Sequence, residues 1–172
     1  MNAFLLMIPF FLIRFGLLGL KNKAALNRAA YFAPLEGRER AAYLFYQVSN
    51  VLIFLYPFFL KVQTTPPGVW IGLALYLMGM VVLLLSTLAF AKPDQNGLNT
   101  GGVYRFSRNP MYVAYFLYFL GCAVLTRSWL LLLFLLVFQA AAHFIILAEE
   151  RWCLGQFGSE YVSYRKRVRR YF

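Results

Sequence analysis

Residues 108 to 150 read RNPMYVAYFLYFLGCAVLTRSWLLLLFLLVFQAAAHFIILAEE. Two long apolar runs are joined at Thr126-Arg127-Ser128 and bounded by polar groups. Arg108, Asn109 and Pro110 stand where the first run begins, and Glu149 and Glu150 where the second ends. A charge at a bilayer boundary is tolerated only where it faces water or a bound partner. Tyrosines flank both groups, upstream in GVYRFSRNPMYVA (Gly102 to Ala114) and downstream in FGSEYVSY (Phe157 to Tyr164). The pattern implies a polar ligand held at the mouth of a bundle of membrane helices.

Composition agrees. Hydrophobic residues make up 62% of the 172 residues and charged residues 13%, against about 25% charged in soluble domains. A water-soluble domain of this size cannot hide so much apolar surface. The expected fold class is an all-α integral membrane protein, a single domain spanning residues 1–172. Five spans near the roughly 20 residues that cross a bilayer are read. They run about Ala3–Leu20, Ala41–Leu60, Val69–Ala91, Met111–Leu125 and Trp129–Leu147. Three of them fill residues 1–91, and two lie in the motif-bearing region 92–172. The first has no basic residue before it and no small-x-small cleavage site, so it reads as a retained helix.

The loops set the orientation. Lys21, Lys23, Arg28, Arg38 and Arg40 lie between spans one and two; Lys92, Arg105 and Arg108 lie between three and four; Arg151, Arg165, Lys166, Arg167, Arg169 and Arg170 follow span five. Only Lys61 and Arg127 fall on the other side. The positive-inside rule then puts the N-terminus outside and the C-terminus in the cytoplasm. All six acids fall on the same cytoplasmic side, and with them the expected chemistry.

This topology also accounts for the net charge of +11. The bases are spread over three segments, as orientation and anionic lipid demand, so nucleic acid is not an expected partner. The tail RKRVRR (Arg165 to Arg170) reads as a clamp on the lipid surface. Cys122 and Cys153 lie in different environments, and no disulfide is expected. There is no CxxC or HExxH spacing, and a single histidine excludes a histidine-rich metal site.

Several polar residues fall inside spans. Arg14 reads as snorkelling to the interface. Gln139 and His143 share a helical face; they either hydrogen-bond to neighbouring helices or, for His143, line a buried pocket as a proton acceptor. Gly72 and Gly79 permit close helix packing. Lys21 to Arg40 reads as a helix lying on the membrane surface, broken near Pro34. Gly101-Gly102 allows either a turn or close backbone approach to a ligand. Gly158 is expected to end the helix that carries Glu149 and Glu150.

GVYRFSRNPMYVA followed by EERWCLGQFGSEYVSYRKRV (Glu149 to Val168) resembles the isoprenylcysteine carboxyl methyltransferase and phospholipid methyltransferase superfamily, over about Leu98 to Arg170. The resemblance implies a methyltransferase using S-adenosyl-L-methionine on the cytoplasmic side. It also implies a lipophilic or prenylated acceptor drawn from the membrane lipids. It implies that the two motifs together form the cofactor pocket, and our reading of the residue types places Gly102, Tyr104, Arg108, Asn109, Pro110, Tyr112, Glu149 and Glu150 there. The residue types suit such a cofactor. Arg108 can grip a carboxylate with two N–H groups, the acids can accept from an ammonium or ribose, and Tyr104 and Tyr112 can face a sulfonium.

Two positions depart from the superfamily pattern: Asn109 replaces a histidine and Ala114 a glycine. Carboxyl methyltransferases of the superfamily also often carry an arginine at the position of Ile145. These features look like the amine-methylating branch, whereas FGSEYVSY looks like the carboxyl-methylating one. For an amine acceptor, His143 is the expected catalytic proton acceptor, because its ordinary pKa lies near neutrality. Two other readings stay open: a nicotinamide-dependent sterol or enone reductase of related membrane fold, and a non-catalytic homologue.

Overall fold

A computed structural model describes residues 1–171, with the backbone alone at positions 23 and 24. Six helices organise the chain: α1 (Ala3–Lys21), α2 (Lys23–Ala30), α3 (Arg38–Leu55), α4 (Gly68–Phe90), α5 (Pro110–Thr126) and α6 (Trp129–Arg167). Four of them, α1, α3, α4 and α6, are long and apolar enough to cross a membrane. The expected fourth span, α5, is an apolar helix of 17 residues. At 1.5 Å per residue it covers about 25 Å, short of a hydrocarbon core of about 30 Å. Most of its side chains are buried among the other helices, so it meets little lipid and its length costs little.

The local sequence explains the helix ends. Asn22 leaves the helical region and its side chain accepts from the Ala25 amide, separating α1 from α2. The surface helix expected to break near Pro34 ends sooner, at Tyr31, whose backbone is already extended. Pro110 supplies the first residue of α5, where its missing N–H costs nothing. Ser128 caps α6 through the Leu131 amide. Beyond the apolar segment α6 continues through the acidic pair to the break expected at Gly158, where φ is +52°, and a further helical stretch follows to Arg167. Only glycine adopts that conformation cheaply.

One departure from α-helix falls inside α1. Residues Leu12–Leu17 form a π-helical stretch centred on Arg14 and Phe15. Such insertions are rare and cluster at functional sites.

Packing is tightest between α4 and α5, through glycines on both helices. A Cβ at Gly79 would stand 2.4 Å from the Tyr118 amide nitrogen, and one at Gly121 2.4 Å from that of Tyr76. A Cβ at Gly72 would fall 2.8 Å from Leu125. The small residues thus set the helix–helix distance, the usual device where lipid removes the hydrophobic drive for association. Phe10 of α1 reaches the rings of Phe54, Tyr115, Tyr118 and Phe119. Tyr46 of α3 stacks on Phe138 of α6, with centroids 4.9 Å apart. Tyr76 and Tyr118 both donate to the Leu6 carbonyl. The outer faces carry exposed Leu12, Phe45, Val48, Trp70, Val81 and Leu133, a surface suited to acyl chains rather than water.

Candidate active site

A cavity of about 670 Å³ opens at one end of the bundle, where α2, the loop after α4, the start of α5 and the far half of α6 converge. Its volume is ordinary for a small-molecule site. Both sequence motifs contribute to its walls, as do residues that the motifs do not contain.

The first turn of α5 turns Tyr112 toward α6, where its hydroxyl donates to Glu149 Oε1 at 3.1 Å. Glu149 has no arginine within ion-pair distance among the described residues. Glu150, one position on, faces a different direction and is enclosed by two arginines. Arg108 Nη2 donates to its Oε1 at 2.9 Å, and Arg170 reaches both oxygens, Nε at 3.1 Å and Nη2 at 2.9 Å. That hydrogen bonding holds the Arg170 pKa above its ordinary value.

The same geometry docks the tail. Arg108 donates from its amide to the Arg169 carbonyl (3.0 Å) and from Nη1 to the Arg165 carbonyl (3.1 Å). Ser107 Oγ and Asn109 Nδ2 both donate to the Arg170 carbonyl. Each terminal nitrogen of Arg108 already makes one bond within the protein, so much of its donor capacity is spent on the tail and on Glu150, while Nε has no partner among the described residues.

Over the cavity, Asn96 Nδ2 donates to Glu160 Oε2 at 2.9 Å, and Leu98 is buried against Tyr161 and Tyr164. The Tyr164 hydroxyl donates to the Tyr104 carbonyl at 2.7 Å. Burial pushes the Tyr104 phenol well above its ordinary pKa, so it stays neutral. On the facing wall Arg14 Nη2 donates to the Ala29 carbonyl (3.1 Å) and Arg28 Nη2 to the Phe90 carbonyl (3.1 Å). The Arg28 guanidinium also lies over the Phe90 ring, 5.2 Å from its centroid. Desolvation lowers the Arg28 pKa.

Four buried polar atoms in these walls have no hydrogen-bond partner among the described residues: Arg14 Nη1, Arg28 Nε, Asn99 Oδ1 and Arg108 Nε. Buried polar groups are ordinarily satisfied. Arg28 Nε, Arg108 Nε and Asn99 Oδ1, gathered on one cavity, fit a ligand carrying both an anionic group and hydroxyl or ammonium donors, while Arg14 Nη1 stands at the cavity's edge.

Of the expected site residues, Tyr104, Arg108, Asn109, Tyr112, Glu149 and Glu150 line the cavity. Gly102 and Pro110 do not. Gly102 makes the turn before the short helical segment Gly102–Arg105, with φ +58° and Ala89 close by, and Pro110 begins α5. His143 is also absent from the walls. Its Nδ1 meets the Tyr171 hydroxyl at 2.8 Å. Six positions separate it from Glu149, so those two side chains point about 120° apart. Glu150, seven positions on, shares its face, but there the tail comes between, Arg170 on Glu150 and Tyr171 on His143. Arg14 departs from the snorkelling reading, since it faces inward to the cavity. Arg170 departs from the lipid-clamp reading, since it turns back onto Glu150. Sequence reasoning also missed Arg28, Tyr46 and Asn99. The one advance signal was Arg14 itself, a full charge in an apolar span.

A second, narrower cavity of about 210 Å³ lies between α1 and α3. Phe10, Phe15, Phe54, Phe119 and Phe138 make it apolar, and Gln47 and Asn50 edge it. It shares Arg14, Ala29, Phe32, Tyr46 and Tyr115 with the larger cavity.

Comparison with known proteins places this geometry in context. A family model described as phospholipid methyltransferase matches residues 67–160. The chain is also 38% identical over 72 residues to the protein-S-isoprenylcysteine O-methyltransferase of Schizosaccharomyces pombe. That alignment covers 41% of this chain and 30% of the relative.

Proposed function

The chain belongs to the phospholipid methyltransferase family, and from that premise we propose that it transfers a methyl group from S-adenosyl-L-methionine to a lipophilic acceptor drawn from the bilayer. The carrying observation is the set of unpaired polar atoms on Arg28, Asn99 and Arg108, gathered on one tyrosine-walled cavity at a membrane-helix terminus.

The residues present fit the cofactor. Arg28 and Arg108 each present a free Nε to a carboxylate. Asn99 Oδ1 and the Glu149 carboxylate are placed to accept from an ammonium or from ribose hydroxyls. Tyr104 and Tyr112 offer ring faces, and a desolvated cation over an aromatic ring gains up to about 2 kcal/mol. When bound, this cofactor supplies an activated methyl group on a sulfonium. The chain's own part is positioning and exclusion of water. Glu150 fixes Arg108 and Arg170, and Tyr164 with Leu98 holds the Asn96–Asn99 loop over the cavity. His143 is not given the role of proton acceptor, because it lies outside the walls; Glu149 is the carboxylate with no cation attached. The basic loops support a cytoplasmic site with the N-terminus outside.

The test is calorimetry on protein purified in detergent, with S-adenosylhomocysteine as probe and a nicotinamide dinucleotide as control. Binding of the first alone is expected. Binding of the nicotinamide cofactor alone would replace this reading with the reductase one.

A further inference from the structure

Arg14 stands where the two cavities meet. It lines both, whereas Arg28 and Arg108 line the larger one alone. One terminal nitrogen is fixed by the Ala29 carbonyl; the other is buried and has no partner among the described residues. No carboxylate lies within 4.0 Å of it among those residues, and its company in the cavity is the Tyr115 hydroxyl and, at longer range, the Glu149 carboxylate. A full positive charge placed in an apolar span and left half satisfied is costly. Such a charge is retained where an anion comes to it. Arg14 lies within the π-helical stretch Leu12–Leu17 of α1.

We propose that Arg14 is the specificity-determining residue for the acceptor. It receives an anionic group at the polar end of a lipid whose hydrocarbon occupies the groove of Phe10, Phe15, Phe54, Phe119 and Phe138. This rests on the methyl-transfer reading above and names the substrate class for it. The apolar groove suits a hydrocarbon chain, and its edge at Arg14 is the point where that chain would give way to a charged end. The anion is either the carboxylate of a lipidated amino acid or the phosphodiester of a phospholipid. The guanidinium serves both chemistries through paired N–H groups. Arg14 lies outside the family-matched residues 67–160, so the motif region does not encode this choice.

The experiment measures binding without turnover, in detergent. One pair of probes is N-acetyl-S-farnesylcysteine and its neutral carboxamide. A second pair is a short-chain phosphatidylethanolamine and the matching diacylglycerol. Wild-type protein is expected to prefer the anionic member of at least one pair by tenfold or more, and the pair that discriminates identifies the source. Arg14→Gln is expected to abolish that preference, Arg14→Lys to restore part of it, and S-adenosylhomocysteine affinity to stay within about twofold for both. No preference in the wild type, or a preference that survives Arg14→Gln, would overturn the assignment. A tenfold loss of S-adenosylhomocysteine affinity in Arg14→Gln would also overturn it, moving Arg14 to the cofactor site and leaving the proposed function intact. Absence of S-adenosylhomocysteine binding in the wild type would instead defeat the proposed function, and the lipid pairs would still report on Arg14.

Discussion

Arg170 meets Glu150 side-on, Nε on one carboxylate oxygen and Nη2 on the other, while Arg108 takes a second bond to the first oxygen. One carboxylate thus ties the Arg-Asn-Pro segment to a stretch of tail that is distant in sequence. Removing the acid should cost more than removing either base. Glu150→Gln leaves two arginines facing each other, and breaking a buried pair typically costs about 3–5 kcal/mol. Arg170→Ala should cost less, about 1–2 kcal/mol, because its side chain is 27% exposed against 8% for Glu150. Thermal unfolding in detergent, read for both variants side by side, checks the order.

Cofactor affinity should respond to the cavity walls in a defined order. Glu149→Gln and Asn99→Ala remove an acceptor each and should weaken S-adenosylhomocysteine binding about ten- to a hundredfold, if each contact is worth roughly 1.5–3 kcal/mol. Arg108→Ala should weaken it at least as much, since it also frees the tail from the cavity wall. Calorimetry gives all three. Unchanged affinity for both Glu149→Gln and Arg108→Ala would remove this cavity as the cofactor site.

His143 and Tyr171 should behave as a pair. His143→Ala and Tyr171→Phe each delete the 2.8 Å bond between them, so either change should lower stability by about 1 kcal/mol and the double variant by little more. The rate of methyl transfer under saturating cofactor should follow stability alone. A large loss of rate in a His143→Ala protein of normal stability would restore the histidine to the chemistry.

Gly79→Ala and Gly121→Ala should each prevent the α4–α5 hairpin from closing, because the added carbon would sit 2.4 Å from backbone on the facing helix. Gly16→Ala on α1 is the control, with nothing within 4 Å of the added atom. Yield of monodisperse protein after detergent extraction distinguishes them.

Topology is open to a direct test. Reporter fusions after Lys92 should give a cytoplasmic signal and one after Thr65 an external signal, from the asymmetry of the basic loops. A cytoplasmic signal after Thr65 would reverse the orientation.

Much of this was legible in the residues. The five apolar stretches announce the helices, and the polar groups at Arg108 and Glu149-Glu150 announce where they converge. What stayed hidden depended on direction rather than identity. Hydropathy treats Arg14 as a charge near a boundary and cannot see that it lines the cavities. It assigns the tail bases to lipid, because the break expected at Gly158 does not say that the chain beyond it returns Arg170 to Glu150. The proximity of His143 to Glu149 along the chain concealed an angle of about 120° between their side chains. Helix α6 outruns its apolar segment because, beyond Leu147, its support comes from Leu98, Tyr161 and Tyr164 packing rather than from lipid.

The walls of the site draw on two separate stretches of the chain. The acids and the Arg-Asn-Pro turn lie within residues 67–160, while Arg14, Phe10 and Phe15 lie well before them. Under the two proposals above, a change confined to the leading helix would reach the acceptor groove directly and leave most of the donor pocket in place, with Arg28 the one cofactor contact drawn from before residue 67.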